Sequence, residues 1–261
     1  MGTALITGAS EGIGLEFAWQ LAEAQHNLVL VARRRQKLEE IAAKIHNLAG
    51  VKVEVLSADL STQAGVDAVA ERIRSTQLPP IGLLVNNAGF GLGQSFIDGD
   101  MGRELDALNV MVRAVMELSR AATDVMIPRG HGAILNVTSV AARTVMGTYS
   151  AHKAWVATFT ESLSTELAGT GVTDTVLLPG LTRSGFHAAA HIDDTQWPKF
   201  VWLESQYLVS QALDAVRKGR VYCVPSLRYA LSEAVLRRLP RCGVRYFVGA
   251  SRVAATHYLE T

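Results

Sequence analysis

The sequence predicts an α/β protein built on one doubly wound parallel sheet of about seven strands, with helices on both faces. Three observations carry that prediction. Short apolar, β-branched runs alternate with segments whose apolar residues recur every three or four positions. Several of the runs are apolar throughout, as strands are when helices cover both sheet faces. The helical stretches between them have the length that right-handed crossovers between parallel strands require. A chain of 261 residues could hold two small domains. No linker or internal repeat interrupts the alternation, so one domain is expected, residues 1–225 forming the sheet and 226–261 a basic helical extension packed on it.

Thr3–Thr7 (TALIT) reads as the first strand and runs into a glycine cluster, after which Ile13, Phe17, Leu21 and Ala24 mark a helix. Asn27–Ala32 (NLVLVA) is a continuous apolar strand; Leu38, Ile41, Ala42 and Ile45 form the inward stripe of a helix over Gln36–Leu48. Val51–Leu56 is a strand, Gln63–Arg74 a helix, Ile81–Asn86 a strand, and a long helical stretch runs from Arg103 to Met126. Another strand lies within His131–Thr138, a helix covers Tyr149–Leu167, and the strand Val172–Leu178 is stopped by Pro179-Gly180. Residues 181–203 are irregular, Glu204–Arg217 reads as a helix and Val221–Val224 as a last strand. Ligands of such sheets bind outside the carboxyl ends of the strands, and an irregular segment there suits a substrate cover.

Composition narrows the class further. Cys223 and Cys242 form neither a CxxC motif nor a cluster with histidine, and His187 and His191 lack a third partner, so neither a disulfide framework nor a metal site is expected. No run approaches the ~20 apolar residues of a membrane-spanning helix, and no basic stretch precedes the first strand as in a signal peptide. A cytoplasmic, reduced protein is the expectation. A net charge of +1 argues against a nucleic-acid partner, but the charge is unevenly spread. Residues 1–216 carry 16 Lys/Arg against 22 Asp/Glu, whereas residues 217–252 carry nine basic side chains against Glu233 alone.

Thr7-Gly8-Ala9-Ser10-Glu11-Gly12-Ile13-Gly14 joins the first strand to the first helix, where orphan N–H groups and the helix dipole favour a pyrophosphate. Its glycines let backbone approach phosphate, although a ligand-free tight turn would share the pattern and the spacing is not GxGxxG. The second strand ends in Arg33-Arg34-Arg35, with no acid for a ribose 2′-OH and with guanidinium groups that suit a 2′-phosphate. NADP(H) is therefore expected over NAD(H), with Arg33 first and Arg34 second as its ligands. Tyr149 and Lys153, four apart, project from one helix face. An ammonium beside a phenol favours phenolate and lowers a pKa of ~10, so the pair can exchange a proton with an alcohol or ketone oxygen.

Together with Asp59-Leu60, Asn86-Asn87-Ala88-Gly89, Asn109, Ser139 and Pro179-Gly180, these residues resemble the short-chain dehydrogenase/reductase family over roughly residues 3–225. The resemblance implies a Rossmann-like fold. It implies that Tyr149 is the general acid in ketone reduction and general base in alcohol oxidation, that Lys153 lowers its pKa and binds the nicotinamide ribose, that Ser139 polarises the carbonyl, and that Asn109 holds a water linking Lys153 to solvent. The implied cofactor set is Gly8, Ser10, Glu11, Gly12, Ile13 and Gly14 in the turn, Arg33 and Arg34, Asp59 and Leu60 at the adenine, and Asn87, Ala88 and Gly89 by the adenine-side ribose. Tyr149, Lys153, Pro179, Gly180, Thr182 and Ser184 complete it, Ser184 standing where the family usually has Thr. Two departures stand out: Ser139 precedes Tyr149 by only ten residues, and Glu11 sits where many NADP-preferring relatives carry a small or basic residue.

Phe200-Val201-Trp202-Leu203-Glu204, the strand-like Arg220–Val224 and Pro225-Ser226-Leu227-Arg228 ahead of a basic apolar helix resemble the ketoacyl-reductase branch. This implies reduction of a 3-oxoacyl or other lipid-like ketone with NADPH. A steroid or small-alcohol dehydrogenase is the alternative, since Trp197, Phe200, Trp202 and Tyr207 suit any apolar ligand. A nucleotide-binding sensor or scaffold without turnover is an alternative of another class, but a pure binder has no need of Tyr149, Lys153, Ser139 and Asn109 together. Relatives commonly form homo-dimers or tetramers through the helices around 103–127 and 149–168. In the tail, Leu227, Leu231, Val235, Leu236 and Leu239 can share a face flanked by Arg228, Arg237, Arg238 and Arg241. That pattern allows peripheral contact with anionic lipid or a lipid-carrying partner. The plainer reading, preferred on sequence, is a helix docked over the active site or a dimer partner with its arginines in water.

Overall fold

The computed structural model of the chain describes residues 2–182 and 201–248. β1 (Thr3–Thr7), α1 (Gly12–Glu23), β2 (Asn27–Ala32), α2 (Arg35–Ala49), β3 (Val53–Ser57), α3 (Gln63–Arg74) and β4 (Ile81–Asn86) alternate along the first third. α4 (Met101–Leu108) passes through a π-helical turn (Asn109–Arg113) into α5 (Ala114–Arg129), followed by β5 (Gly132–Val137), a 3-10 turn (Val140–Arg143), α6 (Gly147–Glu166) and β6 (Val172–Leu177). α7 (Ser205–Arg217), β7 (Tyr222–Cys223), α8 (Leu227–Arg238) and α9 (Arg241–Val248) complete the described chain. Among the described residues no helix is long and apolar enough to cross a membrane.

Every neighbouring strand pair is parallel, in the order β3-β2-β1-β4-β5-β6-β7. Side-chain alternation divides the apolar core between the two faces. Ala4, Ile6, Leu28 and Leu30 pack with Phe17 and Leu21 of α1, Leu38 and Ile45 of α2 and Leu208 of α7. Leu5, Val29 and Val31 pack with Val66 and Val69 of α3 and Leu118 and Met126 of α5 on the other face. Parallel pairing brings Thr7, Arg33, Ala58, Asn87, Thr138 and Leu178 to one edge of the sheet. The strand order reverses direction between β1 and β4, which opens the crevice at that edge where ligands of such folds sit.

Three features depart from simple periodicity. The long helix begins at Met101, capped by the Asp100 carboxylate accepting from the Gly102 N–H at 2.8 Å, and it loosens into a π-helical turn at Asn109. Polar side chains stitch the sheet's middle: Asn86 donates to Asn136 (2.9 Å) and Ser119 (3.2 Å), and Asn136 donates to Thr160 (3.1 Å) and Asp174 (3.3 Å). Burial pushes the Asp174 carboxyl up to about 8. The third departure is the face that α8 turns inward. α8 turns Tyr229 and Glu233 inward and leaves Leu227, Leu231, Val235 and Leu239 exposed. The physical reason is that its inward contacts combine the Tyr229 ring, packed against the apolar core, with buried hydrogen bonds: Glu233 accepts from Arg143 at 3.0 Å, and the Tyr229 hydroxyl donates to the Val201 carbonyl at 2.8 Å and accepts from the Leu181 N–H at 3.0 Å.

Candidate active site

The turn after β1 is built to let backbones touch. Gly8 has φ +67°, and a Cβ on Gly14 would lie 2.2 Å from the Gly8 carbonyl oxygen and 2.5 Å from Asn87 Nδ2. Asn87 spends its side-chain amide on the Thr7 (2.9 Å) and Gly8 (3.3 Å) carbonyls. The Thr7 hydroxyl accepts from the Asn87 and Ala88 N–H groups at 2.9 and 3.0 Å. Asn87 and Ala88 thus fasten the glycine turn to the end of β4. Glu11, at the start of α1, makes no side-chain cap, so the first-turn amides around Gly12, Ile13 and Gly14 remain available to an anion.

The basic residues after β2 divide their roles. Arg33 is exposed, and its carbonyl accepts from the Ser57 hydroxyl at 3.0 Å. Arg34 instead reaches back over the turn, to Glu11 at 2.7 Å and to the Ser10 hydroxyl at 3.5 Å, and Lys37 joins Glu11 at 3.0 Å. The Arg34 hydrogen bond leads in holding the Glu11 carboxyl below the usual carboxylate range, with Lys37 adding to it. Lys37 was not singled out on sequence, and its link to Glu11 across 26 residues carries no local signal.

At the ends of β5 and β6 the proposed proton-transfer group assembles. The Tyr149 hydroxyl is enclosed by protein although part of the residue's surface reaches solvent, and it shares a hydrogen bond with the Ser139 side chain. Lys153 Nζ donates to the Val137 carbonyl at 2.9 Å and lies 5.8 Å from the Tyr149 ring centre. The lowered phenol expected from sequence is not what this geometry produces. Burial pushes Tyr149 up to about 12, only partly countered by Ser139, and burial pushes Lys153 down to about 8. Ser139 also accepts from the Ala141 N–H at 3.1 Å, whereas the neighbouring Thr138 hydroxyl donates to the Lys153 carbonyl at 2.6 Å. The short interval to Tyr149 is taken up by the 3-10 turn and by a Thr144–Ser150 hydroxyl contact of 2.9 Å. Thr148 donates to the buried Glu104 of α4 at 2.6 Å and braces the start of α6.

The remaining candidates lie along the same edge of the sheet. Asn109 sits at the head of the π-helical turn and donates to the Ser61 carbonyl at 3.1 Å. Gly89 approaches Lys153 so closely that a Cβ there would lie 3.4 Å from Nζ. Asp59 accepts from the Ser61 N–H at 3.0 Å, and Leu60 is buried. The Pro179 carbonyl accepts from the Val140 N–H at 3.0 Å, joining the end of β6 to the serine turn. Thr182 donates to the Gly180 carbonyl at 2.9 Å; Ser184 lies outside the described residues, as do His187, His191, Trp197 and Phe200. Arg143, which sequence reasoning passed over, links the serine turn to Glu233 and to the Tyr222 hydroxyl.

A parallel sheet of this order, a glycine turn at its switch point and a tyrosine–serine–lysine group at the same edge define a dinucleotide-fold oxidoreductase. The short chain dehydrogenase family matches residues 2–194. The chain belongs to the short-chain dehydrogenase/reductase family, whose members act on CH–OH and C=O groups with NAD(P)(H). Ketoacyl reductase HetN of Nostoc sp. is 32% identical over 245 residues, covering 92% of this chain and 84% of its own length. The NADP-dependent 3-hydroxy acid dehydrogenase of Schizosaccharomyces pombe is 32% identical over 219 residues, covering 82% and 84%. A short-chain dehydrogenase from Sphingobium yanoikuyae in complex with NADPH shares 33% identity and a TM-score of 0.83 over 92% of this chain and 97% of its own.

Proposed function

We propose that this protein is an NADPH-dependent carbonyl reductase acting on an apolar, lipid-like ketone, foremost a 3-oxoacyl group. The enclosed Tyr149 hydroxyl, bonded to Ser139 and one helical turn from Lys153, carries the reading. The residues present suit the dinucleotide: uncapped amides at Gly12–Gly14 for the pyrophosphate, Arg33, Arg34 and Lys37 for the 2′-phosphate, Asp59 and Leu60 for the adenine, and Asn87–Gly89 for its ribose. Tyr149, Lys153, Pro179, Gly180, Thr182 and Ser184 would hold the nicotinamide half. NADPH, when bound, supplies hydride to the carbonyl carbon.

The chain's own residues manage the proton and the growing oxyanion. A phenol at about 12 is protonated at neutral pH, so Tyr149 meets the carbonyl as an acid, and Ser139 offers a second donor where charge develops. Once Tyr149 has given up its proton, the Lys153 ammonium beside its ring stabilises the phenolate. Lys153 then returns a proton to the phenolate and is itself reprotonated from solvent through a water that Asn109, whose amide donates to the Ser61 carbonyl, would hold. The ketoacyl reductase relative supports an acyl-chain substrate, and the NADPH complex of the Sphingobium relative supports the phosphorylated cofactor. An open groove of about 560 Å³ between α5 and α6, with Met116, Ile127, Phe159 and Leu163 on its walls, supports self-association through those helices.

The test is a ketone panel that includes acyl-chain ketones, run with NADPH and NADH in parallel on wild type and Tyr149→Phe. Expected are NADPH consumption favouring acyl-chain ketones, and a variant that binds NADPH but turns over ~10²–10⁴-fold more slowly. Cofactor binding without consumption on every ketone would leave a nucleotide sensor instead.

A further inference from the structure

α8 presents to solvent the side chains that a helix ordinarily buries. Leu227 is 90% exposed, Leu231 68% and Val235 49%, and Leu239 continues the same every-fourth-residue line. Its inward face is already held by other side chains: Glu233 on Arg143, and Tyr229, whose ring packs against the core and so close to Gly180 that a Cβ there would come within 2.2 Å of it. Burial of apolar surface is the dominant favourable term in folding, so an apolar line left in water while other side chains hold the inner face points to an occupant outside the fold.

The charge around the line identifies that occupant. Glu233 is the lone acid among residues 217–252 and is consumed by Arg143, so the outward charge of α8 and α9 is basic, with Arg237, Arg238 and Arg245 exposed. A second copy meeting this face across a two-fold axis would set arginine against arginine. A nucleic acid would satisfy the arginines and leave the leucines wet. An anionic lipid surface satisfies both, taking leucine and valine into the acyl boundary while the guanidinium groups meet headgroup phosphates. The geometry points to α8 as the helix by which this protein docks, peripherally and reversibly, on an anionic membrane surface. The inference does not rest on the catalytic reading, because it concerns surface that the proton-transfer group does not touch.

Flotation of the full chain with vesicles of pure phosphatidylcholine and of phosphatidylcholine containing phosphatidylglycerol tests it. Recovery with the anionic vesicles should exceed that with the neutral ones at least ~10-fold and fall with added salt. The exposed pair Leu231→Ser/Val235→Ser and, separately, Arg237→Glu/Arg238→Glu should each abolish it, with far-UV circular dichroism and ketone turnover unchanged. Equal soluble recovery with both vesicle types would overturn the inference, as would anionic binding that survives both variants. A mass doubling in light scattering that disappears in the leucine–valine variant would overturn it in favour of a second copy. Retention on immobilised RNA that depends on Arg237 and Arg238, with no flotation, would overturn it in favour of a nucleic acid.

Discussion

Replacing Asp174 by Asn should make the protein's stability less sensitive to alkali. Asp174 lies in β6 with 2% of its surface exposed; one carboxyl oxygen accepts from Asn136 at 3.3 Å and the other has no hydrogen-bond partner. Desolvation raises its pKa from 3.8 to about 8 in the folded chain. Between those values the unfolded chain releases the proton and the folded chain keeps it. Stability is therefore fully present below the unfolded value, falls as pH rises, and levels off once pH has passed the folded value. At 1.36 kcal/mol per pH unit, the interval from 3.8 to about 8 corresponds to a loss on the order of 5 kcal/mol. The amide of Asp174→Asn can still accept from Asn136 and has no proton to lose. Urea unfolding followed by circular dichroism at a series of pH values from 5 to 9 would read the difference. The variant should lie within ~1 kcal/mol of wild type at the acid end and gain on it by about 1.4 kcal/mol per pH unit until the gap levels above pH 8. A gap that stays constant across the series would refute the reasoning, because the carboxyl would then be titrating alike in both states.

Other expectations follow from the same geometry. Gly14→Ala places a methyl 2.2 Å from the Gly8 carbonyl, so the turn must shift; NADPH affinity by tryptophan fluorescence should fall at least ~10-fold while far-UV circular dichroism is retained. Burial lowers Lys153 from 10.5 to about 8, so its ammonium is present below that value and lost as pH rises through it; ketone reduction should hold level to about pH 7 and fall above pH 8 in stopped-flow traces. Glu233→Gln removes the charge nearest the half-buried Arg143, which keeps the Tyr222 hydroxyl and Glu161 at 3.8 Å, a change that costs on the order of 1 kcal/mol, and it should loosen α8 enough to speed tryptic cleavage at Arg237 and Arg238.

Where a segment's apolar pattern is local, the sequence is transparent to its structure. Thr3–Thr7, Asn27–Ala32, Ile81–Asn86 and Gln63–Arg74 keep the bounds read from pattern alone, because each is a run closed by turn-forming residues or a cap. Gly8–Gly14, Asn87 and Ser139 follow the ends of such runs, but Tyr149 and Lys153 lie within α6, and these residues were picked out as a set through the family resemblance rather than through local pattern. Features that depend on distant partners were not. The bond of Glu11 to Arg34 and Lys37 forms only when β1 and β2 are side by side, and Arg143 meets Glu233 across 90 residues. The π-helical turn at Asn109 leaves no mark on the apolar period. α8 defeats period reasoning outright, since two anchored side chains, Tyr229 and Glu233, outweigh its leucine line in deciding which face is inside.

Burial acts on the two members of the proton-transfer pair in opposite directions on the pH scale and with one effect on charge. It raises Tyr149 to about 12 and lowers Lys153 to about 8, favouring the neutral form of each. At pH 7 the lysine is still largely an ammonium, while the phenol is overwhelmingly in its protonated form. In the proposed mechanism ketone reduction draws on the populated phenol, whereas alcohol oxidation would draw on the rarer phenolate. In that mechanism the lysine's contribution comes after proton transfer rather than before it. Its charge, anchored on the Val137 carbonyl 2.9 Å away, stabilises an anion that exists only once the carbonyl oxygen has taken the proton.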